Sequence, residues 1–306
     1  MAITAAMVKE LRERTQAGMM DCKKALNATD GDMDKAIEYL RENGLAKAAK
    51  KADRIAAEGL VKEAISADKK TAAIVEVNSE TDFVAKNDQF VSFVSEVAEV
   101  VLNHDLADVD ALLATAWPGE AGKTVGDILT EKIATIGEKL TIRRFAKITT
   151  NGTLGSYTHG GGKIVAVVDV DSTADNAATV AKDVAMQVAA VNPEYLATKD
   201  VPEEKKEHEK AILIEQAKHE DEAAGKQTKP EILEKKIMGR LNKQLKEICL
   251  LEQEYIKDPD FTVAKYVAKE LGSEDVVKNF VRFETGEGIE KKEENFAEEV
   301  AKQMNS

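Results

Sequence analysis

Residues capable of chemistry are few in this chain and do not form a catalytic set. One glycine-rich element, His159-Gly160-Gly161-Gly162-Lys163, places a histidine near a lysine. It lies between two apolar runs of strand character, so it lacks the helix N-terminus whose free N–H groups hold phosphate, and it reads as a hairpin turn. No GxxxxGKS or GxxxxGKT sequence occurs, so the chain is not expected to bind a nucleotide itself, and HExxH, CxxC and GxSxG are absent too. Asp82, His159 and Lys163 could converge in a groove, but no orienting carboxylate is fixed by the sequence, as an acid–base site would require. His208 and His219 sit in charged helical stretches, where solvent exposure is the default. No catalytic residue, cofactor or metal ligand set is therefore expected.

Two other elements invite a binding role. In Ala17-Gly18-Met19-Met20-Asp21-Cys22, consecutive methionines at a helix start cannot both face a three-helix core, so one of them is expected at the surface. Methionine is an adaptable contact residue at protein-binding surfaces. Thr81-Asp82-Phe83-Val84-Ala85-Lys86-Asn87 joins a strand to a helix. A phenylalanine in so short a polar connector is either tucked under the domain or offered to a partner, and the residues alone leave both open.

The elements that must position these residues follow from periodicity. Residues 1–54 read as three short helices: Thr4 caps the first, Ala17-Gly18 separates it from the second, Asp32 caps the third, and Asn43-Gly44 ends it. Lys47–Arg54 follows as a basic helical linker. Short apolar runs on either side of Ala67-Asp68-Lys69-Lys70 predict a β-hairpin over 59–79. Apolar residues at helical spacing predict helices over 88–103 and 125–136, the second ending at Gly137, with a break at Trp117-Pro118-Gly119 between them. Three strands over 139–171 precede a helix over 175–191 that turns Val180, Val184, Met186 and Val188 inward and stops at Asn192-Pro193. The strand–strand–helix order thus occurs twice, which points to two related α+β lobes. Two long charged helices flank Gly225–Pro230 as an αα-hairpin. A short helix over 262–271, a strand over 276–284 and an amphipathic helix over 296–304 complete the chain.

Composition narrows the partners. The net charge of −13 disfavours direct binding to nucleic acid. Short basic runs such as Arg143-Arg144 are too small to reverse this and read as solvated faces. Two distant cysteines, Cys22 and Cys249, suit a reducing compartment, and the N-terminus has no apolar signal region, so a cytoplasmic location is expected. No apolar run is long enough to span a membrane.

Four segments, LRERTQAGMMDCKKAL (11–26), VNSETDFVAKN (77–87), LGSYTHGGGK (154–163) and RFETGEGIEKKEENFAEEVA (282–301), resemble signatures of the elongation factor Ts family, in order along the whole chain. The resemblance implies an α+β fold in five parts. These are a ubiquitin-associated-like helical domain at 1–54, one core lobe at 55–139, a second at 140–201 and 257–288, a helical hairpin (coiled-coil) protrusion at 202–256, and a C-terminal helical module at 289–306. It implies guanine-nucleotide exchange on elongation factor Tu during translation elongation. The N-terminal domain and C-terminal module would grip the partner's nucleotide-binding domain, with Lys9, Arg12, Met19 and Met20 in the first contact. Thr81, Asp82, Phe83 and Val84 would enter near the partner's Mg²⁺ and phosphate sites. Ile136 and Gly137 match a further contact, His159 another, and the second lobe would approach another domain of the partner. The hairpin at 202–256 is the stretch least like the family; it could join two copies in a homodimer or simply project.

Overall fold

The computed structural model describes residues 3–15, 17–226 and 228–290; the helix expected over 296–304, and most of the module expected at 289–306, lie outside the described residues. Helices α1 (Ala5–Thr15), α2 (Met19–Ala28) and α3 (Met33–Ala49) open the chain. Thr4 Oγ1 accepts from Met7 N–H, and Asp32 accepts from Lys35 N–H, so both expected caps form. Val8, Leu11, Cys22, Ala25, Leu26 and Ala36 make their small core. Asn43-Gly44 does not end α3. The helix runs on, and Gly44 lies against α7 (Val125–Ile136), where an added Cβ would meet the Ala134 Cβ at 3.5 Å. The glycine permits close helix packing here and stops nothing. Arg41 on α3 also pairs with Asp127 on α7 at 2.6 Å. The expected linker begins inside α3, where Lys47 pairs with Asp21 of α2 at 2.8 Å.

Two three-stranded antiparallel sheets follow. The first has the order β1 (Glu58–Ile65), β2 (Thr71–Ser79), β3 (Thr141–Thr149); the second has β4 (Thr153–His159), β5 (Ile164–Val170), β8 (Val277–Glu284). Strand β3, expected in the second lobe, pairs with β2 and so belongs to the first sheet. The sheets pack face to face through Val61, Ala72, Ile74 and Ile148 on one side and Leu154, Val165 and Val167 on the other. The outer face of the first is covered by α5 (Asp88–Asn103), α6 (Val109–Ala114) and α7. The outer face of the second is covered by α8 (Ala177–Val191) and α11 (Val263–Leu271). Central strands β2 and β5 are buried on both faces, so they read as continuous apolar runs without alternation. On α8, Val180, Val184 and Val188 are buried as expected, but Met186 is only half-buried. Gln187 is the buried neighbour, accepting from Ile256 N–H and donating to Gln253 and the Glu254 carbonyl.

Helices α9 (Glu203–Ala223) and α10 (Pro230–Ile248) form the hairpin, closed around Leu213, Ala217, Ile237, Leu241 and Leu245. Glu220 is held by Lys236 at 2.7 Å and by both terminal nitrogens of Arg240, whose hydrogen bonds lower its carboxyl to about 2. The hairpin returns to the core at Tyr195, which forms a bridge with Cys249, and a small β6 (Glu254–Tyr255) and β7 (Asp258–Thr262) pair precedes α11. No helix among the described residues is long and apolar enough to cross a membrane.

One polar group sits inside the first sheet. Glu76 on β2 is fully buried. Its register partner is Arg144, while Val77 faces Ile142, so Arg143 is the extra residue of a β-bulge. A bulge sets two successive residues opposite one, and both arginines reach the same carboxylate: Arg143 Nη1 at 3.0 Å and Arg144 Nε at 2.6 Å. The pair read as a solvated face therefore turns inward. Gly286 N–H donates to Glu76 at 2.8 Å and Asn78 at 3.1 Å. Gly286 has φ +71°, and any Cβ there would strike the Ala57 carbonyl oxygen, so only glycine brings this N–H to the carboxylate.

Burial alone would raise the Glu76 pKa, but the hydrogen bonds from Gly286, Arg143, Arg144 and Asn78 outweigh it and hold it below its ordinary value of 4.5. A depressed carboxyl contributes stability that is present above that ordinary value and lost as pH falls through the folded-state value. Glu76→Ala leaves two arginines and an amide facing a cavity and is expected to cost about 3–5 kcal/mol. Glu76→Gln should flatten the acid limb of stability against pH in chemical denaturation.

Candidate partner-binding site

Helix α4 (Asp82–Ala85) is one turn, capped at both ends. Thr81 Oγ1 accepts from Val84 N–H at 3.4 Å and the Lys86 N–H returns to the Phe83 carbonyl at 3.2 Å. Asn87 then caps α5 by accepting from Gln89 N–H at 2.9 Å. Ala85 and Phe90 are buried and anchor the turn from below. Phe83 points the other way and is 81% exposed, more than any other large apolar side chain described. Of the two readings the sequence left open, the ring is not the one tucked under the domain.

Asp82 lies beside it, 2.7 Å from Lys86. The Lys86 ammonium holds the Asp82 carboxyl below its ordinary range, and Lys163 of the β4–β5 turn adds to this. That turn, with exposed His159 at its start, thus lies within electrostatic reach of α4; it rests on β1, where Gly162 accepts from Val61 N–H at 2.8 Å. His159 Nδ1 is 3.3 Å from the Tyr157 hydroxyl.

Ile136, half-buried, and Gly137, exposed in a left-handed conformation, end α7 next to the same turn. Glu138 makes the connection. Its carboxylate accepts from Glu80 N–H at 3.1 Å, Thr81 N–H at 3.0 Å and the Thr81 hydroxyl at 2.7 Å. Glu138 therefore joins Thr81–Val84 to Ile136–Gly137, and Lys163 of the His159 turn lies within electrostatic reach of Asp82. Lys9, Arg12, Met19 and Met20 are all exposed, on α1 and α2. They lie on the three-helix domain, which packs on the first lobe through α3 on α7. Both methionines are out, at 59% and 63% exposure, where one was expected, because Cys22, Ala25 and Leu26 already fill the inward face of α2.

An open cavity of about 240 Å³ is lined by Arg54, Asn78, Lys139 and Arg143 among others. Its three cations are each engaged, with Glu80, with backbone carbonyls and with Glu76 respectively. Among the described residues no group of His, Cys, Asp or Glu could hold a metal ion.

A family model described as elongation factor TS matches residues 80–287. Elongation factor Ts of Clostridioides difficile (strain 630) is 52% identical over 307 residues, covering 99% of each chain. Elongation factor Ts of Clostridium perfringens (strain 13 / Type A) is 54% identical, covering 98% of each. The chain belongs to the elongation factor Ts family. That membership makes it a nucleotide exchange factor of translation elongation rather than a catalyst of bond chemistry. The α+β fold read from the sequence is the one observed. Sequence reasoning missed Glu80 and Glu138; the one available signal was a carboxylate placed directly after the helix-ending Gly137.

Because Phe83 contacts almost nothing within the chain, Phe83→Ala should leave stability within about 0.5 kcal/mol of the parent in urea denaturation.

Proposed function

We propose that this chain accelerates GDP release from elongation factor Tu by inserting Phe83, with Asp82 beside it, next to the partner's Mg²⁺ and phosphate site. What carries the reading is the exposure of Phe83 on a turn that its own fold holds rigid. Mg²⁺ requires near-ideal octahedral coordination at about 2.0–2.1 Å, so a small displacement of the groups around it is enough to release it. Asp82 fixes the register of the wedge by exchanging its Lys86 pairing for a partner donor. Factor and nucleotide weaken each other's binding by the same factor, because coupling between two sites is reciprocal.

Grip and wedge are divided between different parts of the chain. Lys9, Arg12, Met19 and Met20, on the three-helix domain at 1–54, supply affinity for the partner's nucleotide-binding domain, together with the module at 289–306. Ile136, Gly137 and His159 extend the contact around the wedge, and the second lobe approaches another domain of the partner. The hairpin formed by α9 and α10 projects from the second lobe and is available for pairing with a second copy.

The test is release of a fluorescent GDP analogue from elongation factor Tu in excess unlabelled GDP. Phe83→Ala should lower the saturating rate by about 30-fold or more, as expected where a buried aromatic anchor worth about 2 kcal/mol is removed. An unchanged rate removes the wedge role. Met20→Ala should raise the concentration giving half-maximal exchange by about tenfold, near 1.4 kcal/mol, with the plateau kept. A fall in the plateau alone contradicts the division.

A further inference from the structure

Two loops of the first lobe exchange carboxylates. Glu138, on the loop after α7, accepts from Glu80 N–H, Thr81 N–H and the Thr81 hydroxyl. Glu80, on the loop before α4, accepts in return from Lys139 N–H at 2.5 Å. Each loop thus satisfies backbone donors of the other with its own side chain, and charge-assisted bonds of this kind are short and directional. The exchange also reaches the start of the core. Glu80 pairs with Arg54 at 3.3 Å, and Lys139 Nζ donates to the carbonyls of Ala52 at 2.7 Å and Arg54 at 2.8 Å. The segment leaving the three-helix domain is therefore tied to Glu80 and Lys139 of the same exchange.

Neither carboxylate is exposed enough to meet a partner as Phe83 does; both are half-buried between the loops. The residues they hold flank the functional elements: Thr81, which donates to Glu138, directly precedes Asp82, and Lys139, whose N–H donates to Glu80, lies two residues after Gly137. A one-turn helix such as α4 has too few internal hydrogen bonds to hold its own direction. Its orientation must come from outside; the Glu138 bonds supply it from the loop after α7, beside the Ser79 hydroxyl of β2, which donates to the Thr81 carbonyl at 3.0 Å.

We infer that the reciprocal Glu138–Glu80 clamp is the positioning device of the exchange element, fixing the direction of Phe83 relative to Ile136–Gly137 before the partner arrives. The inference rests on the wedge reading of Phe83. Glu138 is a positioning residue: it acts through Thr81 on α4 and touches no nucleotide. Clamping in the free protein places the ordering cost in folding rather than in binding, so the partner meets a preformed edge.

The experiment is a double-mutant cycle on GDP release, with half-saturation and plateau measured separately. Glu138→Ala should lower the plateau by about tenfold, the scale of loss when a positioned group is displaced, while half-saturation stays within about twofold because the grip residues are untouched. Glu138→Gln should restore most of the plateau, since its carbonyl can accept both N–H groups and its amide can donate to the Thr81 hydroxyl. In a Phe83→Ala background, Glu138→Ala should cause no further loss. Losses that multiply show that Glu138 does not act through Phe83 and overturn the clamp while leaving the wedge intact. An unchanged plateau for Glu138→Ala overturns it as well. Phe83→Ala without effect removes the wedge itself. Glu138→Met, similar in shape but without acceptors, takes the place of alanine in the same cycle if circular dichroism shows that the alanine variant does not fold.

Discussion

A single buried carboxylate organises this molecule. Glu76 stands on the central strand of the first sheet with no access to water, and an unpaired charge there would be untenable. Its partners come from three places: the bulged strand β3 supplies two arginines, β2 itself supplies Asn78, and the turn after β8 supplies Gly286 N–H. The last of these matters most for the architecture. Strand β8 belongs to the second sheet, so the charge requirement of Glu76 fastens the end of one sheet to the middle of the other. Arg144 extends the tie by pairing with Glu287 at 2.9 Å and lying 4.2 Å over the Phe283 ring. Apolar packing between the sheets is tolerant of small slips, whereas this network accepts one register only.

That rigidity passes outward along the chain. Two residues beyond Glu76 is Asn78, which also donates to the Glu58 carbonyl, and two beyond that is Glu80 in the loop clamp. On the neighbouring strand, Arg143 lies four residues after Lys139. The buried network and the exposed element are thus successive stations on the same two strands. Charged groups near the sheet centre fix the strands, the strands fix the two loops, and the loops carry the proposed partner contacts. The N-terminal helices join the same frame where Gly44 and Arg41 of α3 meet α7, so the proposed grip and wedge would share one support.

The sequence was most legible where one physical cause dominates. Helix α5 was readable to its end residues because Asn87 and Asp88 open a strongly amphipathic stretch, and α7 because Gly137 takes the left-handed turn that ends it. The two hairpins followed from their turn chemistry. The failures share a different cause, which is dependence on a distant neighbour. Gly44 looks like a helix stop until α7 is placed against it. Arg143-Arg144 looks like a solvated face until a bulge and a buried glutamate are known. Strand β3 follows the first lobe's helices in sequence and was assigned forward with the strands after it, whereas its partner is β2. Helix α6 and the β6–β7 pair are too short for periodicity to reveal. At the site, exposure of Phe83 could not be chosen from composition, since a connector phenylalanine is buried or offered according to what lies beneath it. Here Ala85 and Phe90 already fill that space.

An exposed phenylalanine on a flexible loop would bind through many conformations and lose much of its contact energy to ordering. On a rigid turn the same ring would meet a partner with little left to order, and its contact energy would be available for displacement. The design has an upper bound, however. Coupling between factor and nucleotide is reciprocal, so a wedge that bound too tightly would resist expulsion when a nucleotide returns. In the proposed mechanism, one ring, one carboxylate and two flanking loop contacts form a small, stiff tool rather than a large adhesive surface. Affinity is better supplied elsewhere, by side chains that do not approach the nucleotide. The proposed separation of grip, on the α2 methionines, from wedge, on Phe83 of α4, would meet that need: it would let a complex be held long enough for GDP to leave without making the wedge itself hard to withdraw.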